Sequence, residues 1–322
     1  MIYRPIGDSG VQVSIVGLGG HEYLPDGRSR GFNDAPDRAT LPGVVLEGYG
    51  QTGRQDLIRY CYSQGINFFD ATMDSEKDSV GRNLQALPPP YQVYVQTRPE
   101  GLVYDRDPYN AKMAQYETLK AEVQRGLGLL RRERLDFLNL AFMRPALEHD
   151  PDYLAKLGDN VARLKAEGWI RFACLDTFSG EWTYLRGIEA GFFDAMFINF
   201  NLANDGALRA VFPAAQEAGM AVFVRECFMK GELFHMGDEV GLTDRGRLAR
   251  AALKWNLNQG RDAAAVTMAV VGAKDAEQMA SNLTVLEDLA LNDEDQAMIA
   301  KLRTSARFQD YRAKRRAQFF EE

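Results

Sequence analysis

The chain has 322 residues, 46% hydrophobic and 26% charged, which is ordinary usage for a globular protein long enough to bury a full core. Its formal net charge of −7 argues against nucleic acid or an anionic membrane as partner, because both require a basic face. Three scattered cysteines and three histidines exclude a disulfide framework and a Cys- or His-built metal site, so no metal is expected. The N-terminus MIYRPIGDSG lacks the apolar run of a secretory signal, and no segment approaches the ~18 apolar residues of a membrane span. The expectation is a cytoplasmic protein acting on a small molecule.

Eight short apolar runs read as strands: 13–19, 66–71, 93–98, 136–142, 171–176, 195–200, 221–227 and 266–272. Their continuous rather than alternating apolar character suits strands buried on both faces of a parallel sheet. Helical segments lie between them, among them 54–65, 114–130, 151–168 and 244–260, several of them closing on a glycine. Eight strand–helix units imply an α/β fold, a single (β/α)8 TIM barrel over 1–322 with its site at the C-terminal ends of the strands.

Two segments break the rhythm. Residues 21–53 form a connection too long for an ordinary βα loop, and they leave a strand end, so they are expected to cover the mouth. The tail 303–322 clusters Arg312, Lys314, Arg315 and Arg316 and reads as a solvated terminal helix.

Four blocks, in order, resemble the aldo-keto reductase family: YRPIGDSGVQVSIVGLGG, GINFFDA, LKAEGWIRFACLDTFSGE and TMAVVGAKDAEQMASNL. The resemblance implies reduction of a carbonyl by NADP(H), in which a tyrosine donates a proton under the influence of a lysine, an aspartate and a histidine. The aspartate falls on Asp70. The run DATMDSEKDSVG that follows holds no tyrosine; the lysine position is Arg98 and the histidine position Ala141. The nicotinamide contacts fall on Asp176 and Thr177, on Phe197, and on Arg225 in place of a stacking tyrosine, followed by Glu226. A carboxylate there opposes a diphosphate. Lys230 lies on the loop that the resemblance places along the diphosphate. Gly272, Ala273, Lys274, Gln278 and Asn282 keep the pattern that binds adenosine 2′-phosphate. The resemblance thus implies an NADP(H)-dependent oxidoreductase with a rebuilt site and little ordinary aldehyde reductase activity. The alternatives are a lyase or epimerase using a charged mouth, or a non-catalytic binding protein.

The residues themselves supply candidates for the rebuilt site. Asp70 and Arg98 end adjacent strands; Arg does not deprotonate near neutral pH, so the pair either binds an anionic substrate group or is an internal ion pair. His21, Glu22 and Tyr23 follow the first strand, and Tyr23 or Tyr49 is a candidate for the missing phenol. In the structural alternative Glu22 pairs with Arg98. A cation beside Tyr23 would lower its pKa and make it a better acid. Asp74 and Glu76 are either an acid–base pair or helix N-terminal carboxylates placed by the dipole. Cys174 and Cys227 read as small core residues, and His235 as a surface residue.

Overall fold

The structure, a computed structural model, describes residues 1–103, 106–259 and 266–321. Strands β1 (Tyr3–Pro5) and β2 (Gln12–Ser14) form an antiparallel hairpin. Eight more follow: β3 (Val16–Leu18), β4 (Phe68–Ala71), β5 (Tyr94–Thr97), β6 (Leu135–Ala141), β7 (Ile170–Asp176), β8 (Ala195–Asn199), β9 (Ala221–Arg225) and β10 (Val266–Val271). They close into a parallel barrel in which β10 bonds to both β9 and β3. The expected (β/α)8 barrel is the fold.

The first expected strand, 13–19, is divided at Ile15. Asn67 Oδ1 accepts from the Ser14 amide at 2.8 Å and Ser14 Oγ donates to the Val16 carbonyl at 2.8 Å, so the backbone turns out of the hairpin and into the barrel. Periodicity misses this break because both pieces are apolar. The hairpin then has a clear task. Its Ile6, Val11 and Val13 pack with Phe68, Tyr94, Phe137, Phe172, Ala195 and Ala221, residues from the first halves of their strands, and plug that end of the barrel. Rings within it meet edge-on or tilted, as Phe68 and Phe223 do at 5.1 Å. Only the C-terminal end is left for chemistry.

A second, larger cluster lies between the sheet and the outer helices. The helices Thr52–Ser63, Tyr116–Leu130, Tyr153–Ala166 and Arg245–Asn258 match their expected segments to within a few residues, as terminal fraying allows. The glycine expected to close the last one, Gly260, lies outside the described residues. Helix Asp74–Ala86 presses against helix Tyr116–Leu130 at Gly81, where a Cβ would lie only 2.3 Å from the Leu129 carbonyl oxygen. That contact fixes the height at which the helix delivers Asp74 and Glu76 to the mouth.

The basic tail departs from expectation. Helix Ala306–Phe320, capped by Ser305, buries Phe308 and Phe319, and Arg312 and Arg316 both reach Asp205 at 2.8 and 2.9 Å. Phe319 packs against Gly206, so the helix is docked rather than solvated: the charge cluster masked a two-phenylalanine seam. Among the described residues no helix is long and apolar enough to cross a membrane.

Candidate active site

Chain connectivity brings the ends of β3, β4 and β5 together on one side of the mouth. β3 runs into Gly19 and Gly20. A Cβ on Gly20 would sit 2.7 Å from both the Asp70 carbonyl and Glu76 Oε2, so only glycine lets the chain pass beneath Glu76. The next residue, His21, donates or accepts through Nδ1 at 2.6 Å from Glu76 Oε1. The other oxygen of Glu76 accepts from the Thr72 and Met73 amides at 2.7 and 3.3 Å, where the helix begins. Glu76 is completely buried, whereas the His21 side chain is 42% exposed, with Phe32 edge-on to its ring at 5.0 Å. Nδ1 being engaged with Glu76, Nε2 is the ring nitrogen left over for another partner.

The charges around this couple agree with a proton-transfer role. Burial works against the imidazolium, but the Glu76 carboxylate outweighs it and raises His21 above its ordinary 6.5. Burial likewise opposes ionisation of Glu76, and His21 with the two amides more than compensates, holding it low. Asp70 is pushed up to about 6, first by burial and then by the charge of Glu76, against which work a hydrogen bond from Gln96 Nε2 at 3.1 Å and the charges of Arg225 and His21.

Asp70 and Arg98 do not pair. Arg98 turns to Glu100, two residues on in the turn Glu100–Leu102, and is held at 2.6 and 3.1 Å. A local bidentate carboxylate costs little chain entropy and takes the cation. Arg98 still acts on His21 through space.

The residues after His21 also part from expectation. Glu22 is buried and accepts from the Gly50 amide at 2.9 and 3.0 Å and from Ser79 Oγ, beside Arg54. It anchors the far end of the long loop and does not approach Arg98. Tyr23 bridges to Ser29, and its hydroxyl lies against Gly272. Burial raises its pKa and Arg54 opposes this without reversing it, so the phenol is a weaker acid than usual. Tyr49 is buried in the loop's own small core and donates to the Arg30 carbonyl at 2.8 Å. Neither phenol is lowered toward neutral pH by a neighbouring cation.

The loop itself docks on the helix Asp74–Ala86 at the mouth. The Gly43 amide donates to Asp74 Oδ2 at 2.6 Å and the Leu46 amide to Ser75 Oγ at 2.9 Å. Asp74 also holds buried Lys77 at 3.0 Å and binds Arg125, which leaves it a structural anchor and separates it from Glu76 in role.

The opposite side of the mouth, from β7 to β9, is closed by its own charges. Arg225 donates to both oxygens of Asp176 at 2.8 Å and to Asn199, and its guanidinium lies 4.6 and 4.9 Å from the rings of Phe197 and Phe178. Asp176 is fully buried and accepts again from Asn139 at 3.1 Å. Thr177 is buried, its Oγ1 accepting from the Ser179 amide. Glu226 has φ +61°, a left-handed conformation rare outside glycine, and its Oε2 is buried without a partner among the described residues. Lys230, also left-handed and 71% exposed, meets its other oxygen at 3.2 Å.

Beyond β10 the Lys274 amide donates to Gln278 Oε1, Asp275 caps the helix Ala276–Leu283, and the Lys274 ammonium is about half exposed. Asn282 is buried, with its Nδ2 unpartnered among the described residues. Cys174 and Cys227 are buried core thiols, raised by desolvation, and His235 is exposed on the helix Glu232–Glu239.

The role of Glu76 as the partner of His21 was not readable beforehand. The two lie 55 positions apart, and no local pattern links them.

No protein-family model and no curated protein matches the chain. Among solved structures it is similar to the holo form of the aldo-keto reductase AKR11C1 from Bacillus halodurans. The identity is 20% and the TM-score 0.68, over 97% of this chain and 99% of that one. The resemblance read from the four sequence blocks holds at the level of architecture: the chain has the fold of an aldo-keto reductase.

Proposed function

We propose that the chain is an enzyme of the aldo-keto reductase superfamily whose mouth moves protons to and from a small carbonyl or hydroxyl compound. The single observation that carries this is His21, just past the end of β3, bound to buried Glu76 at 2.6 Å, partly exposed and within electrostatic reach of Asp70. Glu76 fixes the tautomer and stabilises the imidazolium, so that Nε2–H is the proton donor to a substrate oxygen. His21 is the acid in place of the tyrosine. Asp70, poised near 6, is the base.

The chemistry this pair supports is enolisation of a hydroxycarbonyl compound. Asp70 takes the proton from the carbon next to the carbonyl and the C–H electrons form a C=C bond. The carbonyl electrons move to oxygen, which takes the His21 proton. Return of the proton from Asp70 to the former carbonyl carbon, while the neighbouring hydroxyl gives its proton to His21 and becomes the new carbonyl, makes the enzyme an isomerase. Its return to the opposite face of the original carbon, while the enol hydroxyl gives its proton back to His21, makes it an epimerase. Arg98 and Arg225 are both neutralised by bidentate carboxylates, which favours an uncharged substrate over an anionic one.

The fold family implies NADP(H), and the residues divide on it. Buried Asn282, with a free amide donor, and exposed Lys274 suit an adenosine 2′-phosphate. Arg225, Asp176 and Glu226 do not suit a nicotinamide ring with its diphosphate, and no step is drawn through it. The oxidoreductase reading stands second, on Asn282 and Lys274.

Deuterium uptake from D2O into a panel of small hydroxyaldehydes and hydroxyketones, followed by proton NMR, tests the first reading. Exchange catalysed by the wild type and lost in His21→Ala supports it. Carbonyl-dependent oxidation of NADPH without exchange overturns it in favour of the second.

A further inference from the structure

The disagreement between the two halves of the expected dinucleotide site has a physical content of its own. A nicotinamide ring at this mouth needs a flat face to lie on, partners for its carboxamide and a passage for the diphosphate. The position that would carry the ring holds Arg225, whose Nε and both Nη nitrogens already donate to Asn199 and Asp176. The guanidinium lies within cation–π range of both Phe178 and Phe197. The position that would meet the carboxamide is Phe197, with no polar atom to offer. Asp176 already accepts three hydrogen bonds and has no exposed surface.

The passage is obstructed as well. At Gly272, where the chain leaves β10, the space over Cα is taken by the Tyr23 hydroxyl, 2.2 Å from where a Cβ would stand. Tyr23 comes from the long loop and is held there by its bridge to Ser29. On the neighbouring strand end Glu226 presents a carboxylate whose buried oxygen would face the diphosphate. By contrast the adenosine end keeps, among the described residues, an orphaned buried donor on Asn282 and a cation on Lys274 with one weak partner, Asp275, at 3.6 Å.

We infer that the chain keeps a half-site for an adenosine phosphate while the Arg225–Asp176 clamp and Tyr23 shut the nicotinamide ring out of the mouth that holds His21. The ligand class is therefore an adenosine 2′- or 2′,5′-phosphate without need of the redox ring.

Isothermal titration of the full chain with adenosine 2′,5′-bisphosphate and with NADPH tests this. The two should bind within about threefold of each other, since the ring adds no contact worth a decade in affinity. The dihydronicotinamide emission should stay unchanged on binding. The double variant Arg225→Tyr, Asp176→Ser, and separately Tyr23→Ala, should tighten NADPH by about tenfold or more and leave the bisphosphate unaffected. Circular dichroism confirms that each variant folds; if the double variant does not, Tyr23→Ala and the wild-type comparison still decide. Wild-type NADPH binding more than about tenfold tighter than the bisphosphate overturns the inference, as does absence of bisphosphate binding. So does a folded Tyr23→Ala with unaltered NADPH affinity. The readout is binding and does not pass through His21, so its failure leaves the proton-transfer reading intact, and loss of exchange activity leaves this inference intact.

Discussion

Both sides of the barrel mouth carry charged groups, and the central ones on each side are treated in opposite ways. On the β3–β5 side His21 is partly exposed, and Asp70 has a single side-chain hydrogen bond among the described residues and a pKa near 6. On the β7–β9 side Arg225 and Asp176 bind each other through two hydrogen bonds and are completed by Asn199 and Asn139, with two phenylalanine rings beside the guanidinium. A pair that is fully satisfied and desolvated holds its geometry but has no proton to give near neutral pH. A group left short of partners costs stability and gains reactivity. Under the proposed function, the contrast separates a reactive wall from a structural one.

The largest expected effect lies on the reactive wall. His21→Ala should lower kcat/KM on a responsive hydroxycarbonyl by about 10²–10⁴, the range for losing a positioned acid. Glu76→Gln should cost less and move the alkaline limb of the pH profile downward, because the imidazolium loses its carboxylate. Equal losses in both variants, with an unmoved limb, would remove Glu76 from the positioning role.

On the structural wall the order reverses. Asp176→Asn should cost about 3–5 kcal/mol of unfolding free energy in urea melts, because it strands a buried guanidinium. His21→Ala should cost far less. If Asp176→Asn is tolerated, the clamp is not what organises that wall.

The pH dependence sharpens the comparison. Asp70 must ionise to act as base and His21 must keep its proton, so kcat/KM should rise through about pH 6 and fall above the ordinary imidazole value of 6.5. Asp70 also acts on stability. Its folded value is raised, so its contribution is complete below 3.8 and is lost as pH rises through about 6, up to roughly 3 kcal/mol. Gln96→Leu removes the hydrogen bond that favours the carboxylate and should shift the acid limb upward. A limb unchanged in that variant would assign it to another group.

The smallest effect is at the adenosine end. Lys274 is half exposed, so Lys274→Ala should weaken adenosine 2′,5′-bisphosphate by no more than about 1 kcal/mol, roughly fivefold, at moderate salt. Asn282→Leu, which removes a buried unpartnered donor, should weaken it more if the adenine ring meets that amide.

Patterning alone determined the eight strands, the helices that match 54–65, 114–130 and 151–168, and therefore the barrel and the end at which chemistry sits. These follow from hydrophobic period and glycine punctuation, which are local properties of the chain. Position in the chain also brought His21, Asp70 and Arg98 to the mouth, since each follows or ends a strand. Partners were another matter. Arg98 chose Glu100, Glu22 chose Gly50 and Ser79, and His21 chose Glu76, and only packed coordinates rank such competitors. The break at Ile15 and the docking of the C-terminal helix were hidden for a related reason: apolar runs and charge clusters say what a segment contains, not what it meets. Which carboxylate a cation takes depends on distances of an ångström or two and on desolvation, and both are set by tertiary packing.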